Sequence, residues 1–416
     1  MNDNLYSEHE PANTRINALN GAAQAIALNL VNPFLGIDLI RLGSNNFELS
    51  LLTALPPLAV TVTTLLGARL VARTPSAHRA AAKLFFLART FPLAFLIVNG
   101  MPHSPWQPML MVILIGAMNI PIAVANLTWQ AMITALFTPP ARTRAVGLRN
   151  VATSIAGIIT LLLAALVMQK NSGNVGYLYV FGAALVAGMV EVFWFLRLRG
   201  DPPVQTAPPQ FGAALRRIWA YADFRRYALA GIPFYLGWLM AQPLFVRYQV
   251  SYAGATNAWI ALFAATNALF SAITTPLWGR VGHRVGAQYA LPLACALLSS
   301  VPMIYALNLG LHGILLSNVL GGAFGAGVNM FLLIRLMEVA PVDDRIFAIG
   351  LANTLIGTAG VAGPLLSVVL LHYLPIPGVF WIPTALRCFG AAAFLATIRP
   401  GIRRPVLPHS CTGGSA

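Results

Sequence analysis

Residues 147–157 read GLRNVATSIAG, and residues 350–360 read GLANTLIGTAG. Gly147, Leu148, Asn150 and Gly157 return as Gly350, Leu351, Asn353 and Gly360, each 203 residues later. Asn126 and Asn329 keep that spacing, as do Arg142 and Arg345. Upstream, Asn32-Pro33 is echoed by Gln242-Pro243 at an offset of 210. Gly43-Ser-Asn-Asn46 is echoed by Gly254-Ala-Thr-Asn257 at 211, and Gly67 by Gly279 at 212. Matches that recur in order at nearly one offset indicate a duplicated unit of about half the chain.

Both phrases open long apolar runs. The 416 residues are 58% hydrophobic and 9% charged, whereas soluble domains carry about 25% charged residues. A bilayer removes that contradiction. Spans of roughly 20 apolar residues fall near 18–40, 48–70, 80–99, 108–136, 147–168 and 176–197. A Pro-rich stretch, GDPPVQTAPPQ, and an amphipathic piece, FGAALRRIWAYADFRRYAL, follow. Six more spans fall near 228–248, 256–277, 287–307, 311–337, 346–371 and 377–397. The domains expected are a six-helix half (1–199), a cytoplasmic linker with the amphipathic segment (200–225), a second six-helix half (226–398) and a cytoplasmic tail (399–416). The N-terminus is polar and mildly acidic, unlike a basic signal-peptide start, so the first apolar segment is expected to be a retained helix.

Twelve spans place both termini on one face. Of the 26 Lys and Arg, Arg41, Lys170 and Arg247 fall on one set of connections, and Arg89 and Arg387 fall inside spans. The other 21 share the face of the termini, which the positive-inside rule reads as cytoplasmic. A formal charge of +15 distributed in this way describes topology and argues against a nucleic-acid surface. The three cysteines have no metal or disulfide spacing. No catalytic constellation, cofactor motif or metal site is found. The glycines of GGAFGAGVN at 321–329 lie at membrane depth with no Lys-Ser/Thr after them, so they read as helix packing.

A repeat unit with an even number of spans inserts both copies in the same orientation, giving halves related by an axis along the membrane normal. Here the sequence resembles the major facilitator superfamily over essentially its whole length. The most specific residues are PLWGRVGHRVG at 276–286. Gly279, Arg284 and Gly286 match the family's loop between spans 8 and 9, and His283 stands where that loop usually carries Asp. TPPARTRAVGLRN and APVDDRIFAIGLAN are similar to the family's connections into spans 5 and 11. The resemblance implies an all-α polytopic fold of twelve transmembrane helices in two parallel six-helix repeats. Its central cavity would be lined by spans 1, 4, 7 and 10. Gly279, His283, Arg284, Gly286, Arg149 and Arg345 become candidates for a cytoplasmic gate or loop, with Gly279 and Gly286 allowing close approach and turning.

On the four lining spans the polar and aromatic candidates are Asn29, Asn32, Asn126, Trp129, Gln130, Tyr235, Trp238, Gln242 and Asn329. Tyr235, Trp238 and Gln242 share a helical face by spacing. A buried amide is costly unless bonded, so each faces protein or a wet cavity; hydrogen bonding between helices is the alternative reading. A lining of amides and aromatics suits a small neutral or amphipathic solute. It argues against phosphates or dicarboxylates, which call for paired basic groups.

If protons drive transport, Asp38 and Glu191 are the coupling candidates, since a buried acid can have its proton affinity raised by desolvation. The alternative for Asp38 is an i, i+3 salt bridge to Arg41. Arg89 and Arg387 are expected to find carboxylates, carbonyls or water. Arg149 is expected at the interface with its head in water.

The function expected is secondary transport by alternating access in the inner (plasma) membrane, in the direction of export, by a monomer with no cofactor and no nucleic-acid partner. The partners are a small-molecule substrate, the lipid bilayer and, if coupled, protons. Alternatives are an uptake facilitator for sugar-like solutes and a non-transporting scaffold or lipid-moving protein.

Overall fold

A computed structural model describes residues 3–72, 76–171, 173–200, 211–340 and 345–398. These residues are helical apart from short connections. The first half holds α1 (Asp3–Asn29), α2 (Asn32–Arg41), α3 (Asn46–Ala72), α4 (Ala77–Gly100), α5 (Gln107–Leu136), α6 (Pro139–Lys170) and α7 (Asn174–Leu196). The linker carries α8 (Phe211–Ala220). The second half holds α9 (Ala222–Arg247), a π-helical turn (Tyr248–Tyr252), α10 (Asn257–Val285), α11 (Ala287–Leu298) and α12 (Ser300–Ala306). It ends with α13 (Gly310–Val339), α14 (Arg345–Tyr373), α15 (Ile376–Val379) and α16 (Trp381–Ala396). Eleven segments among the described residues are long and apolar enough to cross a membrane, and α3, of 27 residues, is the twelfth long helix.

Prolines set two of the breaks. The ring of a helical proline clashes with the carbonyl four residues back, and its nitrogen donates nothing. α1 ends at Asn29, four residues before Pro33, and α11 ends at Leu298, four before Pro302. Pro243, the repeat counterpart of Pro33, lies inside α9 without ending it. The π-helical turn follows, and π turns take in an extra residue per turn. That extra residue lies where the repeat offset grows from 210 to 211, between Pro243 and Gly254.

Packing follows the duplication. α1 packs on α6 and α7, and α9 on α14 and α16. α5 packs on α3 and α4, and α13 on α10 and α11. The halves meet through α3 on α14 and α6 on α10. Two hydrogen bonds at repeat-equivalent positions complete the pattern. Trp129 Nε1 donates to Asn17 Oδ1 (3.3 Å), tying α5 to α1. Tyr227, 210 residues after Asn17, donates its hydroxyl to the carbonyl of Leu332, 203 residues after Trp129 (2.8 Å), tying α13 to α9. The result is a closed ring of eight helices in the order α1, α6, α10, α13, α9, α14, α3, α5. The helices α4, α7, α11 with α12, and α16 pack against its outside.

At one end of the ring α2 crosses between the halves, where it meets α9, the π turn and α10. That crossing is at the face opposite the termini. A methyl group at Gly36 would stand 2.6 Å from Val246 Cγ1, so the helices touch there only because Gly36 has no side chain.

Two local expectations are corrected. PLWGRVGHRVG is no extended loop: α10 continues to Val285, because nothing between Pro276 and Gly286 breaks it. Gly286 makes the turn at φ +81°, and its N–H bonds the Gly282 carbonyl at 2.9 Å. Nor is Gly279 a point of close approach, since open space surrounds it; Gly282 fills that role against the ring of Phe331.

Candidate functional site

Among the described residues, the buried charged side chains, Glu48 apart, gather in two clusters inside the first half and one isolated cation in the second. The termini-side cluster begins with a stripe on α1. Asn13, Asn17, Asn20 and Gln24 follow i, i+4, i+7, i+11 spacing, so they lie on one helical face. Asn13 exchanges two 2.9 Å hydrogen bonds with the backbone of Arg199. Asn20 Nδ2 donates to the Glu191 carbonyl (2.9 Å), and Gln24 Nε2 donates to Glu191 Oε1 (3.1 Å).

Arg149 enters this stripe from α6. Only 6% of it is exposed, which corrects the expectation of a head in water. Its Nη1 donates to the Asn17 carbonyl (3.0 Å), to Asn17 Oδ1 (3.2 Å) and to Asn20 Oδ1 (2.7 Å), and its Nη2 donates to Gln24 Oε1 (2.8 Å). The guanidinium also lies over the Trp129 ring, 4.4 Å from its centre. Four acceptors and an aromatic face replace its hydration, so burial costs less than reaching for the interface.

Glu191 of α7 is fully buried. Arg89 of α4 holds it in a two-point ion pair, Nε to Oε2 at 2.6 Å and Nη2 to Oε1 at 3.1 Å. Arg89 therefore finds the carboxylate that its position requires.

The second half has the same positions without the charges. Arg149 corresponds to Ala352, Asn20 to Ala230, Gln24 to Phe234 and Glu191 to Phe394. Where Gln24 bonds Glu191 in one half, the rings of Phe234 and Phe394 meet edge-on at 6.3 Å in the other. One scaffold thus accepts either a polar or an apolar filling at this place.

The second cluster lies at the opposite end. Asp38 has no exposed surface. It accepts from Arg41 Nη2 (2.8 Å) and from Asn99 Nδ2 (2.6 Å). The i, i+3 pair is therefore formed. Arg41 also bonds Asn174 and Asn99 through their side-chain oxygens and covers the Tyr177 ring, 4.5 Å from its centre. Tyr177 donates its hydroxyl to Asn257 Oδ1 across the halves (3.3 Å).

Arg387 is 1% exposed and has no carboxylate among its described partners. It donates to the carbonyls of Leu298 (3.1 Å), Gly237 (3.3 Å) and Trp238 (3.5 Å). The Leu298 carbonyl has lost its helical donor to Pro302, so Arg387 supplies what the break removes.

The nine candidate lining residues lie on α1, α2, α5, α9 and α13. No two of them share a described hydrogen bond. Asn32, Gln130 and Asn329 are exposed; Asn29, Asn126, Trp129, Tyr235, Trp238 and Gln242 are half-buried. Asn29 donates to the Ala25 carbonyl (2.8 Å) and Asn329 to that of Gly325 (3.0 Å). A carbonyl can only accept, so the amide nitrogen faces it and each Oδ1 points away. Trp129 is committed to Asn17 and Arg149. Of the gate candidates, His283 and Arg284 are exposed at the end of α10, and the side chain of Arg345 lies outside the described residues.

The sequence matches the family model of the Major Facilitator Superfamily over residues 18–264 and 227–409. The chain belongs to that superfamily, as the ring of eight helices with four outside it also indicates. A comparison with the curated proteins finds no match. Among solved structures, it is similar to a point mutant of the nucleoside transporter NupG (TM-score 0.71, 12% identity, covering 93% of this chain and 100% of that one). It is similar to a bacterial homologue of the iron transporter ferroportin in an inward-facing state (0.69, 14%, 94% and 98%). It is also similar to a bacterial homologue of the human lysosomal transporter Spinster, inward-facing and unoccupied (0.68, 12%, 94% and 97%). At these identities the likeness shows the fold alone; it is the family match that makes the protein a multi-pass membrane transporter of the superfamily.

Proposed function

We propose that this protein moves a small neutral or amphipathic solute by alternating access, in the direction of export, across the inner membrane, with both termini in the cytoplasm. The observation that carries this reading is where the charge goes. Arg89 and Glu191 neutralise each other between α4 and α7, outside the ring. Arg387 is spent on backbone carbonyls. The nine candidates on α1, α2, α5, α9 and α13 are all amides and aromatics, with at least two amide oxygens turned away from their own helices. Such groups recognise hydrogen-bond donors on an uncharged solute. Solutes of this kind include nucleosides, which the structurally similar NupG carries by its name.

Proton coupling is assigned to Asp38 in preference to Glu191. Asp38 has one cationic partner and lies on the helix that closes the ring, whereas Glu191 is held at two points by Arg89. The test combines a thermal-shift screen of uncharged and anionic metabolites and drugs with flux of each hit in proteoliposomes at two pH values, since a ligand that binds the folded state raises its apparent stability. Hits confined to anionic compounds would overturn the neutral-substrate reading. Flux whose pH dependence survives Asp38→Asn would remove Asp38.

A further inference from the structure

A crevice of about 650 Å³ opens between α1, α6 and α7. It lies outside the ring, because α7 packs on the outer side of α1 and α6. Ala22 of α1, Ala152 and Ala156 of α6 and Ala183 of α7 create its volume by their small size. Ile159, 52% exposed, stands at its rim. Its walls are almost wholly carbon. The hydroxyl of Thr160, one of its few polar groups, is already spent on the Ala156 carbonyl (2.7 Å).

We propose that this crevice binds one membrane phospholipid, with an acyl chain along α6 and the phosphate at Lys170. Three features select this occupant. From Ala152 to Val167 the groove follows α6 for about 22 Å at 1.5 Å per residue, longer than the ~15 Å of hydrocarbon in one leaflet. It opens sideways, at a depth where hydrocarbon is the surrounding solvent. At its far end Lys170, one turn beyond Val167, is exposed and has no described hydrogen bond or ion pair. The acyl chain would brace α1, α6 and α7 against one another, and α6 is one of the helices through which the halves meet. The site depends only on the protein's being embedded in a bilayer, and not on which solute it carries.

The full-length protein, purified in detergent after reconstitution in vesicles of phosphatidylethanolamine and phosphatidylglycerol, is examined by native mass spectrometry. The wild type is expected to retain one phospholipid per monomer. Ala156→Phe fills the crevice and is expected to lower that occupancy about tenfold, the equivalent of excluding roughly two buried methylene groups. Lys170→Gln is expected to weaken retention of phosphatidylglycerol more than that of phosphatidylethanolamine. Ile159→Trp, at the exposed rim, serves as the blocking variant if Ala156→Phe does not give a monodisperse protein. Wild-type occupancy in the blocking variant overturns the proposal. So does a wild type that retains no phospholipid, or one that runs as a dimer whose second copy covers the crevice.

Discussion

Gly36 and Val246 stand 210 residues apart, the repeat offset of their region, and they touch. Positions related by a two-fold axis are equally distant from it, so a residue meets its own counterpart only on the axis. The contact therefore marks where the axis between the halves passes through the closed end of the ring. Arg247 Nη1 to the Ser44 carbonyl (3.4 Å) and Tyr177 to Asn257 (3.3 Å) bridge the halves beside it. The bridges are polar and exchangeable with water, whereas the axial contact is a matter of volume.

Gly36→Leu should prevent this closure. The added side chain would overlap Val246, and overpacking a close contact costs about 1–3 kcal/mol, enough to shift a balanced two-state equilibrium by roughly fivefold to more than a hundredfold. Spin labels at Phe47→Cys and Ser251→Cys, on exposed positions of the two halves at this end, should show a growing long-distance population. An unchanged distance distribution would show that the contact does not govern closure.

Breaking the Arg89–Glu191 pair should be more damaging than removing it. Glu191→Gln leaves a buried guanidinium without its carboxylate, for which ~3–5 kcal/mol is typical. The pair Arg89→Met and Glu191→Leu together should recover most of that, because the second half fills the Glu191 position with Phe394. Thermal unfolding of the wild type and of both variants in detergent checks this. A double variant as unstable as Glu191→Gln would mean that the charges are needed for the fold itself.

The duplication, the span count and the positions of Arg89, Arg387 and Asp38 could all be read from the chain, because each depends on local pattern or on the cost of charge in hydrocarbon. The α1 stripe was equally readable at i, i+4, i+7 and i+11, but a polar start to the chain reads as a tail until it is known to be helical. Arg149 could not be placed from sequence. Whether an arginine near a helix end turns to water or inward depends on acceptors that lie more than 120 residues away on α1. The step in repeat offset was visible as a number, and the π turn gives its physical cause. The lining amides remain legible only as types, since one sequence does not reveal which face of a helix meets a solute.

Asn126→Leu and Asn329→Leu, at repeat-equivalent positions on α5 and α13, should each weaken binding of the transported solute by about tenfold or more, roughly one lost hydrogen bond. Neither residue is fully buried, so thermal stability without ligand should change by less than about 0.5 kcal/mol. Isothermal titration with a solute found in the thermal-shift screen measures both variants. Unchanged affinity in both would take these amides out of the site.

Arg387 should be necessary because of Pro302. The proline removes the N–H that would bond the Leu298 carbonyl, and Arg387 Nη1 takes that carbonyl at 3.1 Å inside the protein. Arg387→Met leaves a buried acceptor unpaired, for which about 1–3 kcal/mol is typical. Pro302→Ala restores the missing donor and lets α11 run on into α12. The combination Arg387→Met with Pro302→Ala should therefore be more stable than Arg387→Met alone, even though each change removes a native feature. Melting temperatures of the two single variants and the double variant measure the coupling. Additive losses would show that Arg387 serves the Gly237 and Trp238 carbonyls of α9 and not the break.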